Sequence, residues 1–122
     1  MLEVNALEFG FDQPLVTGLC FSVPKGQIRL LHGASGCGKS TLLALISGTE
    51  IANVNWVGHI RLDGVDIGAL PAHRRQIGLM YQDALLFPHL TVGENLAFEL
   101  APSIRGKARH AAVQEALAAA SL

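Results

Sequence analysis

Charge of one sign is what this chain most lacks. Nine Lys and Arg stand against ten Asp and Glu, a formal net charge of −1 over 122 residues. No broad basic field is available for nucleic acid or an anionic lipid surface, and no nucleic-acid partner is expected. The one local basic run, Arg105, Lys107 and Arg109, reads as the solvated start of a helix. Cysteine is nearly absent: Cys20 and Cys37 stand apart with no C-x-x-C, which gives no disulfide framework and suits a reducing compartment. The histidines, at positions 32, 59, 73, 89 and 110, have no metal-ligand spacing and read as surface or packing residues. Long apolar runs are missing too. A stretch such as Leu42 to Ile46 is far too short to cross a bilayer, and the opening Met1-Leu2-Glu3-Val4-Asn5 has neither the basic start nor the apolar stretch of a signal peptide. Any membrane link is therefore expected to run through a partner. With no internal repeat and no linker composition, the chain reads as one domain or part of one.

What is present is an apolar, glycine-rich sequence, 50% hydrophobic with 13 Gly, which suits a buried α/β core. Its most informative stretch is Gly33-Ala34-Ser35-Gly36-Cys37-Gly38-Lys39-Ser40-Thr41. This fits the phosphate-binding pattern G-x-x-x-x-G-K-[ST]. The glycines let successive backbone N–H groups face one anion-binding hollow. Lys39 adds a point charge for the outer phosphates, and Ser40 offers a hydroxyl to Mg²⁺. Cys37 occupies a position where the pattern tolerates any residue and reads as a small filler. The alternative for the whole stretch, an ordinary glycine turn into a helix, has no use for Lys-Ser after the last glycine.

The flanks agree with that reading. Residues 27–31, Gln-Ile-Arg-Leu-Leu, are expected to form the strand that feeds the loop. Residues 40–46 are expected to be helical and to stop at Gly48. Such a helix start would bring free N–H groups and a partial positive charge to phosphates. Leu2, Val4 and Ala6 alternate as in a half-buried strand, and so do Leu19, Phe21 and Val23, which argues for an antiparallel piece before the loop. Residues 50–58 read as a loop. His59 to Leu62 read as a strand, with Asp63-Gly64 as a turn into Val65-Asp66-Ile67. Residues 70–75 read as a short helical turn begun by Pro71, and 76–81 as a buried strand. Thr91 and Glu94 form a capping-box signature for a helix, which Pro102 and Gly106 break. A further helix follows with Val113, Ala116, Leu117 and Ala120 on one stripe and Arg109, Gln114 and Ser121 off it.

With these residues in place, the chain resembles the nucleotide-binding domain of ATP-binding cassette (ABC) transporters over its whole length. The loop at 33–41 matches that family's narrower wording G-x-S-G-x-G-K-S-T. Ile77-Gly78-Leu79-Met80-Tyr81-Gln82-Asp83-Ala84-Leu85-Leu86-Phe87-Pro88 resembles its Q-loop. His89-Leu90-Thr91-Val92-Gly93-Glu94-Asn95-Leu96-Ala97-Phe98 resembles the segment that follows in many bacterial importers. The resemblance implies an α/β P-loop NTPase fold of the ABC-ATPase type: an antiparallel β region over 1–32, loop and helix over 33–48, strands to the Q-loop over 49–83, and the start of a helical subdomain over 84–122. The 49–57 link is longer than usual.

The resemblance also implies roles. Gly33, Ser35, Gly36, Cys37, Gly38, Lys39, Ser40 and Thr41 would hold the phosphates of ATP, with Ser40 on Mg²⁺. Gln82 would approach Mg²⁺ and the attacking water and relay nucleotide state. Its alternative is a polar residue at a strand end. Phe11 falls about where the family's adenine-stacking aromatic belongs, although Tyr is commoner there, and a core aromatic beside Phe9 is the other reading. The surface around Phe87 to Leu90 would face a membrane subunit, and an intact subunit would dimerise head-to-tail at the cytoplasmic face of the cell membrane. The wording from Phe87 to Phe98 leans toward an importer of small polar solutes or ions.

The family's LSGGQ-type signature, Walker B Asp-Glu and switch histidine are not among these residues. The chain by itself is therefore expected to bind MgATP with little or no hydrolysis, to have an incomplete core with strand 27–31 as an open apolar edge, and to be a fragment of a longer ATPase. The competing reading is a non-catalytic nucleotide-binding or docking fragment. A small-molecule kinase or GTPase is disfavoured by the lack of an Asn-Lys-x-Asp motif and of an arginine-rich lid.

Overall fold

A computed structural model describes residues 1–83 and 85–121. They form two units, Met1–Met80 and Tyr81–Leu122, each described by itself.

The first unit is built on β1 (Leu2–Gly10), which pairs antiparallel with β2 (Pro14–Val23) on one side and β3 (Asn55–Leu62) on the other; β4 (Val65–Asp66) completes the order β2-β1-β3-β4. The expected alternation in β1 holds only to Val4. Both of its pairings shift register between Val4 and Glu8, where Ala6 has φ 48° and is exposed. This bulge flips the parity, so that Leu7 and Phe9 join Val4 on the buried face. Gly58 on β3 sits against it: a Cβ there would lie 2.6 Å from the Ala6 carbonyl oxygen. β3 begins at Asn55, inside the stretch expected to be a loop. The expected turn at Asp63-Gly64 is present, with φ 49° and 82°, the double left-handed geometry that matches strand twist in two-residue hairpins.

Helix α1 (Lys39–Ser47) covers one face of this sheet. Its Leu42, Leu45 and Ile46 form one core with Val4, Leu7, Phe9, Ile60 and Ile67. The short helix α2 (Ala72–Arg75) starts after Pro71, as expected.

Two expected strands are not formed. Residues 27–31 and 76–81 have no strand assignment and pair with no strand. Ile28 is 99% and Leu30 86% exposed, and Leu31 is exposed as well. A strand needs a neighbour to take up its N–H and C=O rows, and β1–β4 offer none to these segments. Local alternation alone does not supply one. Ile77 nonetheless packs on the core of this unit.

The second unit is a pair of helices, α3 (Val92–Glu99) and α4 (Gly106–Ala119). The capping box forms in full: Thr91 Oγ1 accepts from the Glu94 N–H at 3.3 Å, and Glu94 Oε2 accepts from the Thr91 N–H at 2.7 Å. On α4 only Val113 of the expected stripe is buried, while Leu117 is half-buried and Ala116 exposed. Arg109, expected on the solvated side, instead donates from Nη1 to the Ile104 carbonyl at 3.0 Å and from Nη2 to the Ala97 carbonyl near the end of α3. Among the described residues, no helix is long and apolar enough to cross a membrane.

Candidate nucleotide-binding site

The loop at 33–38 turns through two glycines in the left-handed region, Gly36 (φ 80°) and Gly38 (φ 92°). Gly38 is the residue on which α1 begins, and it is bare for a reason. A Cβ there would come within 2.9 Å of both Leu15 Cδ2 and Phe9 Cε2. The β1–β2 hairpin thus presses directly on the loop backbone. At Gly36 a Cβ would meet open space, so that position needs glycine for its φ alone.

The N-terminus of α1 has no side-chain cap and no acidic residue in its first turn. The first intrahelical bond visible there is Leu42 N–H to the Gly38 carbonyl at 2.8 Å. The earlier N–H groups are orphans of the kind that bind anions, at the positive end of the helix dipole. Lys39 stands at the same place. Its Nζ donates to the carbonyls of Gly33 (2.8 Å) and Ala34 (2.6 Å) and lies 3.7 Å from Cys37 Sγ. Cys37 packs on the start of the loop: a Cβ on Gly33 would lie 2.8 Å from its Sγ.

Ser35, Gly36, Gly38, Lys39, Ser40 and Thr41 line one open hollow of about 300 Å³, and Phe11 and Leu15 from the hairpin close its side. Phe11 is half-exposed there, which is where an aromatic could take a flat ring, and it is not among the core residues that surround Phe9. Gly33 and Cys37 do not line the hollow; they shape the loop and receive Lys39. Larger hollows exist, such as one of about 620 Å³ between Trp56 and Arg75, but neither Lys39 nor any other residue of 35–41 lines them. The donor set at 33–41 fits a polyphosphate: orphan N–H groups, one ammonium, three hydroxyls and no carboxylate. Gln82 belongs to the second unit and is exposed.

The comparisons with known proteins agree with this geometry. The family model described as "ABC transporter" matches residues 16–122. The chain belongs to the ABC transporter family. Among relatives of this ABC domain, a putrescine transport ATP-binding protein, PotG of Escherichia coli K12, is 45% identical over 101 residues, which is 82% of this chain and 26% of PotG. YnjD of the same organism, an uncharacterized ABC transporter ATP-binding protein, is 43% identical over 87% of this chain and 49% of its own length. A Rhodococcus jostii Fe(3+) ions import ATP-binding protein, FbpC 1, is 42% identical over 93% of this chain and 33% of its own length. The ABC chain thus spans about a quarter to a half of these relatives. The α/β P-loop NTPase fold with its antiparallel N-terminal sheet is that of the family.

Three residues that organise the structure had no role expected of them from the sequence. Asn95 of α3 accepts from the Phe87 N–H at 2.9 Å and donates to the carbonyls of Phe87 (3.3 Å), Leu90 (3.2 Å) and Thr91 (3.0 Å). It holds the 87–91 turn, over which the Phe87 and Phe98 rings meet edge-on at 4.8 Å. Leu15 props Gly38. Arg75 is buried at the far end of α1, where burial lowers its pKa against the opposing pull of Asp66. Their partners lie up to 30 residues away in sequence, and no spacing rule reaches that far.

Proposed function

We propose that this chain is the nucleotide-binding part of an ABC importer's ATP-binding subunit and binds MgATP at 33–41. The observation that carries the reading is the uncapped N-terminus of α1 opening, with Lys39, into the same hollow as Phe11. The N–H groups from Gly36 to Thr41 and the Lys39 ammonium hold the β- and γ-phosphates. Ser35 and Thr41 add hydroxyls at the rim, Gly33 and Cys37 set the loop, and Phe11 stacks on the adenine. Ser40 is the Mg²⁺ ligand within the loop, with Gln82 as a second group toward the metal and the attacking water. Mg²⁺ would neutralise charge on the phosphates.

In the whole protein, the turn around Phe87 to Leu90 docks on a membrane subunit and two copies pair head-to-tail. ATP hydrolysis then drives import of a small polar solute or ion from a peripheral position on the cytoplasmic face of the membrane. The names of the relatives, which include putrescine and Fe(3+) transport proteins, support that solute class.

Residues 1–122 by themselves hold nucleotide without turning it over. Hydrolysis needs carboxylates on the metal and the water, and those of the β3–β4 hairpin are engaged elsewhere. Asp63 is bonded to the N-terminal ammonium. Asp66 accepts from the Gly68 N–H at 2.9 Å and pairs with His59 at 3.0 Å, and these contacts hold its carboxyl below the usual range. The test is competition of ATP and inorganic triphosphate, each with Mg²⁺, for a fluorescent ATP analogue on wild type and Phe11→Ala. Stacking of a base on an aromatic ring contributes about 1–3 kcal/mol, so ATP should bind more tightly than triphosphate, with most of the difference lost in Phe11→Ala. Equal affinities in wild type would contradict the stacking assignment.

A further inference from the structure

Among the described residues, Arg75 is the one buried charged side chain, 6% exposed. A buried charge is costly unless it is fully bonded, and here all its partners are main-chain carbonyls. Nη1 donates to Leu45 (2.6 Å) and Ile46 (3.2 Å), the last-turn carbonyls of α1 that have no partner within the helix. Nε donates to Leu70 (2.7 Å) and Nη2 to Gly68 (2.7 Å), in the loop that follows β4. The cation also faces the negative end of the α1 dipole. The fit is close on the other side as well. Gly48, which ends α1 at φ 80°, could not carry a Cβ without placing it 2.5 Å from Arg75 Nε. A planar fork can join two backbone segments in this way, whereas an ammonium cannot reach all four carbonyls at once.

The helix whose C-terminus Arg75 grips is the one whose N-terminus forms the phosphate site. The chain that leaves Arg75 turns at once through Gln76 (φ 55°), seats Ile77 on the core and runs on to Gln82. We propose that Arg75 is a positioning residue that couples the phosphate loop to the 76–82 segment: α1 acts as a rigid rod, and its far end is bolted by the guanidinium to the backbone that leads to Gln82. The inference rests on the nucleotide-binding reading above. It also predicts a free-energy link between the two segments, which must be measured and not assumed from proximity.

The experiment is amide hydrogen exchange on the full chain, with and without Mg²⁺ and a non-hydrolysable ATP analogue, in wild type, Arg75→Met and Arg75→Lys. In wild type the analogue should slow exchange at 33–41 and at 76–82. In Arg75→Met the loop at 33–41 should still be protected, while the ligand-induced slowing at 76–82 falls about two- to thirtyfold. Peptides from β1 and β3 report whether the sheet is intact. If Arg75→Met loses sheet protection, Arg75→Lys decides, since it keeps the charge and stem but not the fork; its response at 76–82 should be reduced. Undiminished slowing at 76–82 in a folded variant, or a wild type protected at 33–41 alone, would overturn the coupling. A wild type with no protection at 33–41 would instead remove the nucleotide-binding reading itself, and the coupling with it.

Discussion

Asn95 reaches back along the chain and pairs with both the N–H and the C=O of Phe87, as a neighbouring strand would. A single side-chain amide thereby fixes the turn that carries Phe87. Asn95→Ala removes these bonds and should destabilise the helical unit by about 1–3 kcal/mol. Asn95→Asp keeps the acceptor for the Phe87 N–H but turns a donor into an anion facing the carbonyls of Phe87, Leu90 and Thr91, so it should be at least as harmful. Denaturant titration followed by helical circular dichroism checks both, and a neutral Asn95→Asp would refute the donor role.

The contact between Gly38 and the Phe9 and Leu15 side chains separates two glycines that look alike in the motif. Gly36→Ala meets only the left-handed backbone cost, about 1–2 kcal/mol, because a Cβ there has open space. Gly38→Ala meets the same cost and overpacks the hairpin, which should add at least about 1 kcal/mol and weaken nucleotide binding further. The unfolding midpoints of the two variants should differ in that order; equal midpoints would show that the hairpin yields freely.

Acid should loosen α3 through Glu94. The Thr91 backbone N–H first, and the Thr91 hydroxyl second, hold its carboxyl below the ordinary value of 4.5. A carboxyl with a lower pKa folded than unfolded contributes stability that is fully present above the unfolded value and is lost as pH falls through the folded one. Helix content should therefore fall as pH drops below about 4.5, and Glu94→Gln should flatten that fall. An unchanged acid profile in Glu94→Gln would count against the capping box as its source.

What could be read in advance was local. The glycine turn into α1, the Thr91–Glu94 box and the Asp63-Gly64 turn each depend on residues a few positions apart, and each formed as expected. The bulge at Ala6 was not legible, because it is set by pairing with β3 across some fifty positions (Asn5 opposite His59), not by the alternation of β1. Residues 27–31 and 76–81 have strand-like patterns, yet a strand is a property of two segments, and the pattern of one says nothing of a partner. The Arg109 side chain was misplaced for a related reason: a basic residue near a helix start looks solvated until the carbonyls it bonds are located. Arg75 carried no expectation of its own. Phe11 lay between two readings, and only the hollow it shares with Ser40 and Thr41 separates it from the core around Phe9.

The central claim is that the N-terminus of α1 and Lys39 form a phosphate site. The most direct measurement is the affinity of a fluorescent ATP analogue, with Mg²⁺, for the wild-type chain and for Lys39→Ala. Loss of one charge-assisted contact of this kind predicts binding weaker by about ten- to a hundredfold, with the sheet's thermal unfolding little changed. Equal affinity in the two proteins, or no saturable binding in the wild type, would contradict it.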